Sequence, residues 1–107
     1  MRRPVEARVV EVEIETVLAT YGRWLDRQPL TARTQEAYRA QVKGFVLWLA
    51  GSEHGAKALS VDTVRNWALR DYVRHLKQRR RWDPASVTQA LGAINNFYHS
   101  LGMTRDS

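Results

Sequence analysis

Arg79, Arg80 and Arg81 stand just before Asp83 and Pro84, and Ser86, Gln89, Ala93 and Asn96 follow at three-four spacing, with Ala85, Thr88 and Gly92 beside them. Each of these residue types suits a polyanion with readable edges. Guanidinium forks fit phosphate oxygens and guanine edges. Ser and Thr hydroxyls donate to phosphates, and Gln or Asn can bridge an adenine edge. Small residues let another backbone come close. A solvated helix face ordinarily carries pairs of opposite charge, whereas this one is uncharged and rich in hydrogen-bonding groups. Arg33, Thr34, Gln35, Ala37, Arg39 and Lys43 offer the same chemistry earlier in the chain. Taken singly, any of these side chains has a structural use: Ser86 in supporting a helix start, Asn96 as a buried group with a partner. Jointly, with the arginine turn, they point to DNA contact.

Catalytic and metal chemistry has no comparable footing. His54, His75 and His99 are far apart in sequence, without the pair spacing of metal ligands, and packing or surface roles are expected for all three. There is no G-x-S-x-G elbow, no phosphate-binding loop and no Gly-rich dinucleotide turn. The acids are scattered along the chain, without the pairing that general acid–base work requires. No catalytic residue, metal or cofactor is expected.

The charge supports a polyanionic partner. Residues 1–30 carry five Arg against five acids, while residues 31–107 carry twelve basic residues against six acids and hold the whole formal charge of +6. Fourteen of the seventeen basic residues are Arg, the cation best shaped for phosphate. At 107 residues, 44% hydrophobic and with four Trp, the chain suits one folded domain with a single core. The lack of cysteine rules out disulfides and thiolate ligation and fits the cytoplasm. The longest apolar run, Phe45 to Ala50, is too short to cross a membrane, so no membrane partner is expected. The basic opening is followed by Glu11, Glu13 and Glu15, not by the apolar core of a signal peptide.

The elements that must position these groups are helices. Ile14, Val17, Leu18, Tyr21, Trp24 and Leu25 predict a first helix from about Glu11 to Arg27, after a flexible lead-in at 1–10. Thr31 is a fitting N-cap for a second, with Tyr38, Val42, Phe45, Val46 and Leu49 buried and Gly51 placed for a left-handed cap. Leu47 and Trp48 lie off that stripe, available to a neighbouring helix or to a protein contact. "GSEHGAKALS" reads as a loop. Val61, Val64, Ala68, Tyr72, Val73 and Leu76 then form either one helix or two, broken between Trp67 and Leu69. Asp83 and Pro84 open the last helix, which buries Val87, Leu91, Ile94, Phe97, Tyr98 and Leu101 and ends at Gly102. No strand alternation is present. The expectation is an all-α, compact four- to five-helix orthogonal bundle over residues 11–102.

The same residues carry a resemblance. "LTARTQEAYRAQVKGFVLWL", with Thr31, Thr34, Tyr38, Val42 and Phe45 in step, resembles the second helix of the core-binding domain of tyrosine recombinases, the phage-integrase family with its Xer- and Cre-like branches. "LRDYVRHLKQRRRWDPASVTQALGAINNFYHSLGM" is similar to the following two helices: a Tyr-bearing helix, a basic turn, a small-residue start, then Leu, a Phe-Tyr pair and Gly. The resemblance covers about residues 11–105. It implies a SAM-like domain forming half of a clamp on double-stranded DNA, its second and fourth helices approaching the major groove. On the residues above, the DNA-binding set becomes Arg33, Thr34, Ala37, Arg39, Lys43, Arg79, Arg80, Arg81, Ser86, Thr88, Gln89 and Asn96. It also implies other recombinase protomers as partners in a synaptic complex, with the isolated chain a monomer. The family's catalytic groups belong to a separate C-terminal domain. No His-x-x-Arg occurs here, so none of Tyr21, Tyr38, Tyr72 or Tyr98 is expected to be a nucleophile, and residues 103–107 read as the start of a linker.

Two other readings stay open. A helical protein-interaction module would use Leu47 and Trp48 as its contact patch and take acidic partners. A helix-turn-helix regulator would need a short turn at a sharp angle, and the connections here are long for that.

Overall fold

The computed structural model describes residues 4–103, with side chains from Ile14 onward except Ala56. Four α-helices follow one another: α1 (Pro4–Asp26), α2 (Ala32–Ala50), α3 (Asp62–Gln78) and α4 (Pro84–Ser100). A 3₁₀ helix, Gly55–Leu59, lies between α2 and α3. No strand occurs among the described residues, and none of their helices is long and apolar enough to cross a membrane. The expected linker residues after Met103 lie outside them.

Helix starts follow from local chemistry. The Thr31 hydroxyl accepts the Thr34 backbone N–H at 3.1 Å, and the Asp83 carboxylate accepts that of Ser86 at 2.8 Å, so α2 and α4 each satisfy an otherwise orphan donor. Pro84 occupies the first turn of α4, where its missing N–H costs nothing. Pro4 likewise opens α1, which therefore begins seven residues before the expected Glu11.

At the helix ends the outcome is mixed. Gly102 is left-handed, with φ 77°; its N–H bonds to the His99 carbonyl and that of Met103 to the Tyr98 carbonyl. That is the Schellman arrangement. Gly51, in contrast, has φ −93° and is no left-handed cap: α2 ends in a tightened last turn on the Trp48 and Leu49 carbonyls. The turn from α3 to α4 uses an unexpected residue. Arg81 has φ 55°, the left-handed conformation that side-chain-bearing residues rarely take. This bend returns the chain so that the Trp82 N–H reaches the Leu76 carbonyl at 2.9 Å.

Packing centres on α2 against α4. Val42, Phe45, Val46 and Leu49 of α2 meet Val87, Ala90, Ala93, Ile94, Phe97 and Tyr98 of α4, all buried. Tyr21 and Leu25 close one side from α1, and Ala68, Tyr72 and Leu76 close the other from α3. Aromatic edges fit faces, with Tyr21 to Phe97 at 5.3 Å and Phe45 to Tyr72 at 5.1 Å between centroids. Trp48 joins this core by leaning on Tyr72 at 5.0 Å, whereas Leu47 is 51% exposed. Leu101 and Val61, expected inside, are exposed. α3 is one helix, unbroken at Trp67.

The stretch read as a loop holds a core element. Ala58 of the 3₁₀ helix is fully buried, and its carbonyl accepts the Tyr98 hydroxyl at 2.9 Å. His54 bonds through Nε2 to the Asp71 carboxylate at 2.7 Å, pinning the same segment to α3. Arg65 is buried too: Nη1 donates to the Met103 carbonyl at 2.9 Å, and the guanidinium carbon lies 5.8 Å from the Tyr98 ring centroid. A charge taken from water needs such partners.

Two outcomes test this account. Tyr98→Phe strands the buried Ala58 carbonyl and should lower unfolding free energy in urea by about 1–3 kcal/mol. Tyr72→Phe, which removes no hydrogen bond seen here, should cost less. At the turn, Arg81→Val should lower the melting temperature, because a β-branched side chain is disfavoured in the left-handed region more than Arg is. Arg81→Gly should unfold no earlier than wild type, its relief of strain offsetting the freedom glycine adds to the unfolded chain.

Candidate nucleic-acid interface

α4 has three flanks covered, and what remains outside is narrow. Ala85, Thr88, Gln89, Gly92 and Asn95 are exposed and uncharged, and the exposed imidazole of His99 ends the strip. The stripe that the spacing suggested, Ser86–Gln89–Ala93–Asn96, is divided by α1. Gln89 is exposed and Ser86 half-buried at the free end. Ala93 is fully buried, and the Asn96 side-chain oxygen accepts the Tyr21 hydroxyl at 2.7 Å. Asn96 therefore serves a contact between α1 and α4. The sequence placed it on the right side of its helix but could not show that another helix lies there.

Arg79, Arg80 and Arg81 are all exposed at the mouth of this face. The Arg80 guanidinium carbon stands 5.4 Å from the Trp82 ring centroid, and Trp82 packs on the core, so the aromatic plane steers that cation. The nearest acid in sequence, Asp83, is occupied by the cap. The Ser86 backbone N–H, then its side chain, hold the Asp83 carboxyl below the usual range. Its carboxylate is thus engaged by the start of α4 beside the arginines.

On α2, Arg33, Ala37 and Lys43 are exposed, with Ala40 and Gly44 between them. Thr34 is half-buried, and the Thr31 hydroxyl donates to its Oγ1 at 3.0 Å, within the cap. Arg39 points elsewhere: it ion-pairs with Asp26 and donates to the Gly22 carbonyl at 3.3 Å, bracing α2 against the end of α1. Of the twelve sequence-derived residues, Thr34, Arg39, Ser86 and Asn96 thus have partners inside the fold. Arg33, Ala37, Lys43, the three turn arginines, Thr88 and Gln89 present their side chains to solvent.

The tyrosines are engaged in the core. Burial raises the hydroxyl pKa of Tyr21, Tyr72 and Tyr98 above the ordinary phenol value, so each stays protonated at neutral pH. No group of three or more His, Cys, Asp or Glu side chains that could hold a metal occurs among the described residues.

Sequence reasoning passed over Arg65, although its position was informative. It continues the buried spacing of Ala68, Tyr72 and Leu76 one turn earlier. It also lines a groove of about 890 Å³ between α3 and α4, floored by Leu69, Val73 and Leu91 and bordered by Arg70, Asn95 and His99. Among the described residues, no carboxylate lines this groove.

No curated protein and no solved structure matches the chain. The family model of the phage integrase N-terminal SAM-like domain does match it, over residues 18–104. That span runs from the middle of α1 past the end of α4 and takes in all three connections. With its all-α bundle, the chain belongs to the phage integrase N-terminal SAM-like domain family.

Proposed function

We propose that this domain binds duplex DNA at a recombination half-site, as one half of a clamp whose strand-cleaving chemistry lies in a separate domain. The observation that carries this reading is the outward face of α4, uncharged from Ala85 to Asn95 and opening directly after three exposed arginines. The arginines supply charge without sequence preference, and Thr88 and Gln89 supply donors and acceptors that can meet base edges. Arg33 and Lys43, with Ala37 between them, extend the same character onto α2. Arg39 and Asn96 brace the helices that present these groups. Family membership supports a role in site-specific recombination, with DNA and other recombinase protomers as partners. The protein-interaction reading rests on Leu47, exposed on α2 without polar company from its own side chain.

The arginine turn and the α4 face separate in binding assays. A variant with Arg79→Ala, Arg80→Ala and Arg81→Gly should weaken binding to cognate and scrambled duplexes alike. Its plot of log affinity against log salt should flatten by about 0.9 per lost phosphate contact. An unchanged slope means that the turn is only solvated. Gln89→Ala should instead lower preference for the cognate half-site by about 1–3 kcal/mol while scrambled-duplex affinity and melting temperature hold. Equal preference in variant and wild type removes Gln89 from the interface. Salt-insensitive capture of a protein through Leu47, lost in Leu47→Ser, would favour the interaction module.

A further inference from the structure

Trp67 is the exception among the four tryptophans. Trp24, Trp48 and Trp82 pack against the core, whereas Trp67 is 52% exposed in the middle of α3. Residues 67, 70, 74 and 77 recur at helical spacing on the side of α3 opposite buried Arg65, Ala68, Tyr72 and Leu76. Trp67 therefore shares an outward stripe with Arg70, Arg74 and Lys77, about 15 Å long at the helical rise.

The stripe is cationic. From Thr63 to Trp82 the only acid is Asp71. Its Oδ2 is engaged by His54 at 2.7 Å and its Oδ1 lies 3.8 Å from Arg74. Arg70 and Lys77 have no ion pair among the described residues, and Arg70 stands at the edge of the groove that no carboxylate lines. Beyond Lys77 the stripe runs into the turn arginines.

We infer that α3 carries a second nucleic-acid surface that takes single-stranded DNA, with Trp67 stacking an unpaired base and Arg70, Arg74 and Lys77 holding the flanking phosphates. An exposed aromatic ring among regularly spaced cations is the arrangement that binds single strands. In a duplex the base faces are covered by their neighbours, so Trp67 would have only backbone to touch. Only an unpaired or unstacked segment offers a face. A protein partner fits less well, because the stripe neighbours of Trp67 are Thr63, Arg70 and Arg74 and form no contiguous apolar patch. The inference rests on the nucleic-acid reading of the chain but uses a different helix face.

The test is fluorescence anisotropy of the full chain with a labelled oligothymidine and, separately, a labelled duplex, across a range of sodium chloride. Wild type should bind oligothymidine. Trp67→Ala should weaken that binding by about five- to a hundredfold, the worth of one base–aromatic stack, and Trp67→Phe should keep most of it. Arg70→Ala with Arg74→Ala should flatten the salt slope by about 0.7 per lost contact. Duplex affinity should stay near wild type in all three variants. Unchanged oligothymidine affinity in Trp67→Ala overturns the inference. So does a loss of self-association in that variant, seen by sedimentation, with DNA binding intact. Wild type that binds duplex but not oligothymidine removes the α3 surface alone, and wild type that binds neither removes the duplex reading as well.

Discussion

The hydroxyl of Tyr98 holds the domain together at its most crowded point. It is buried, and it donates to the Ala58 carbonyl of the 3₁₀ helix, fastening that element to the bundle. The ring beneath it meets Phe45 of α2 at 6.0 Å and lies under the guanidinium of Arg65 from α3. Three elements distant in sequence thus converge on one side chain of α4. Burial raises its pKa, and that keeps the proton in place that the arrangement needs. A hydrogen bond in such surroundings contributes little net when made but is expensive to leave unmade, so the 3₁₀ helix and the ends of α3 and α4 depend on it together.

The surface follows from this interior. α4 gives one flank to each of α1, α2 and α3, which leaves too narrow an outward strip for a ladder of opposite charges. Uncharged polar and small side chains occupy that strip. The acids near it are committed elsewhere: Asp83 to its cap, Asp26 to Arg39 and Asp71 to His54. The three exposed arginines of the α3–α4 turn supply the positive potential at the start of that strip.

Much of this could be read from the residues. Thr31, Asp83, Pro84 and Gly102 mark helix boundaries through short-range chemistry, and the structure places each boundary there. Val42, Phe45, Val46 and Leu49 of α2, and Val87, Ile94, Phe97 and Tyr98 of α4, follow from spacing, whereas Leu101 is exposed and Leu91 half-buried. What escaped was of two kinds. The 3₁₀ helix is too short to show a period, and Ala58 is too small to signal burial. The division of the α4 stripe depends on where α1 lies, a long-range fact that no local pattern carries. Ala93 and Asn96 were therefore grouped with Gln89, although Ala93 is buried and Asn96 is bonded to Tyr21. Arg65 is a third lesson. A cation at an apolar position of a helical period reads as an interruption, until a carbonyl and an aromatic face are found waiting for it.

Met103 is held from both directions: its N–H by the Tyr98 carbonyl at 2.9 Å, its own carbonyl by Arg65 at 2.9 Å. Met103 is thus tied to α3 through a side chain and to α4 through the backbone. Tension at Met103 would load the Arg65 guanidinium as well as the last turn of α4. In mechanical terms this residue is the clamped end of a beam rather than a hinge.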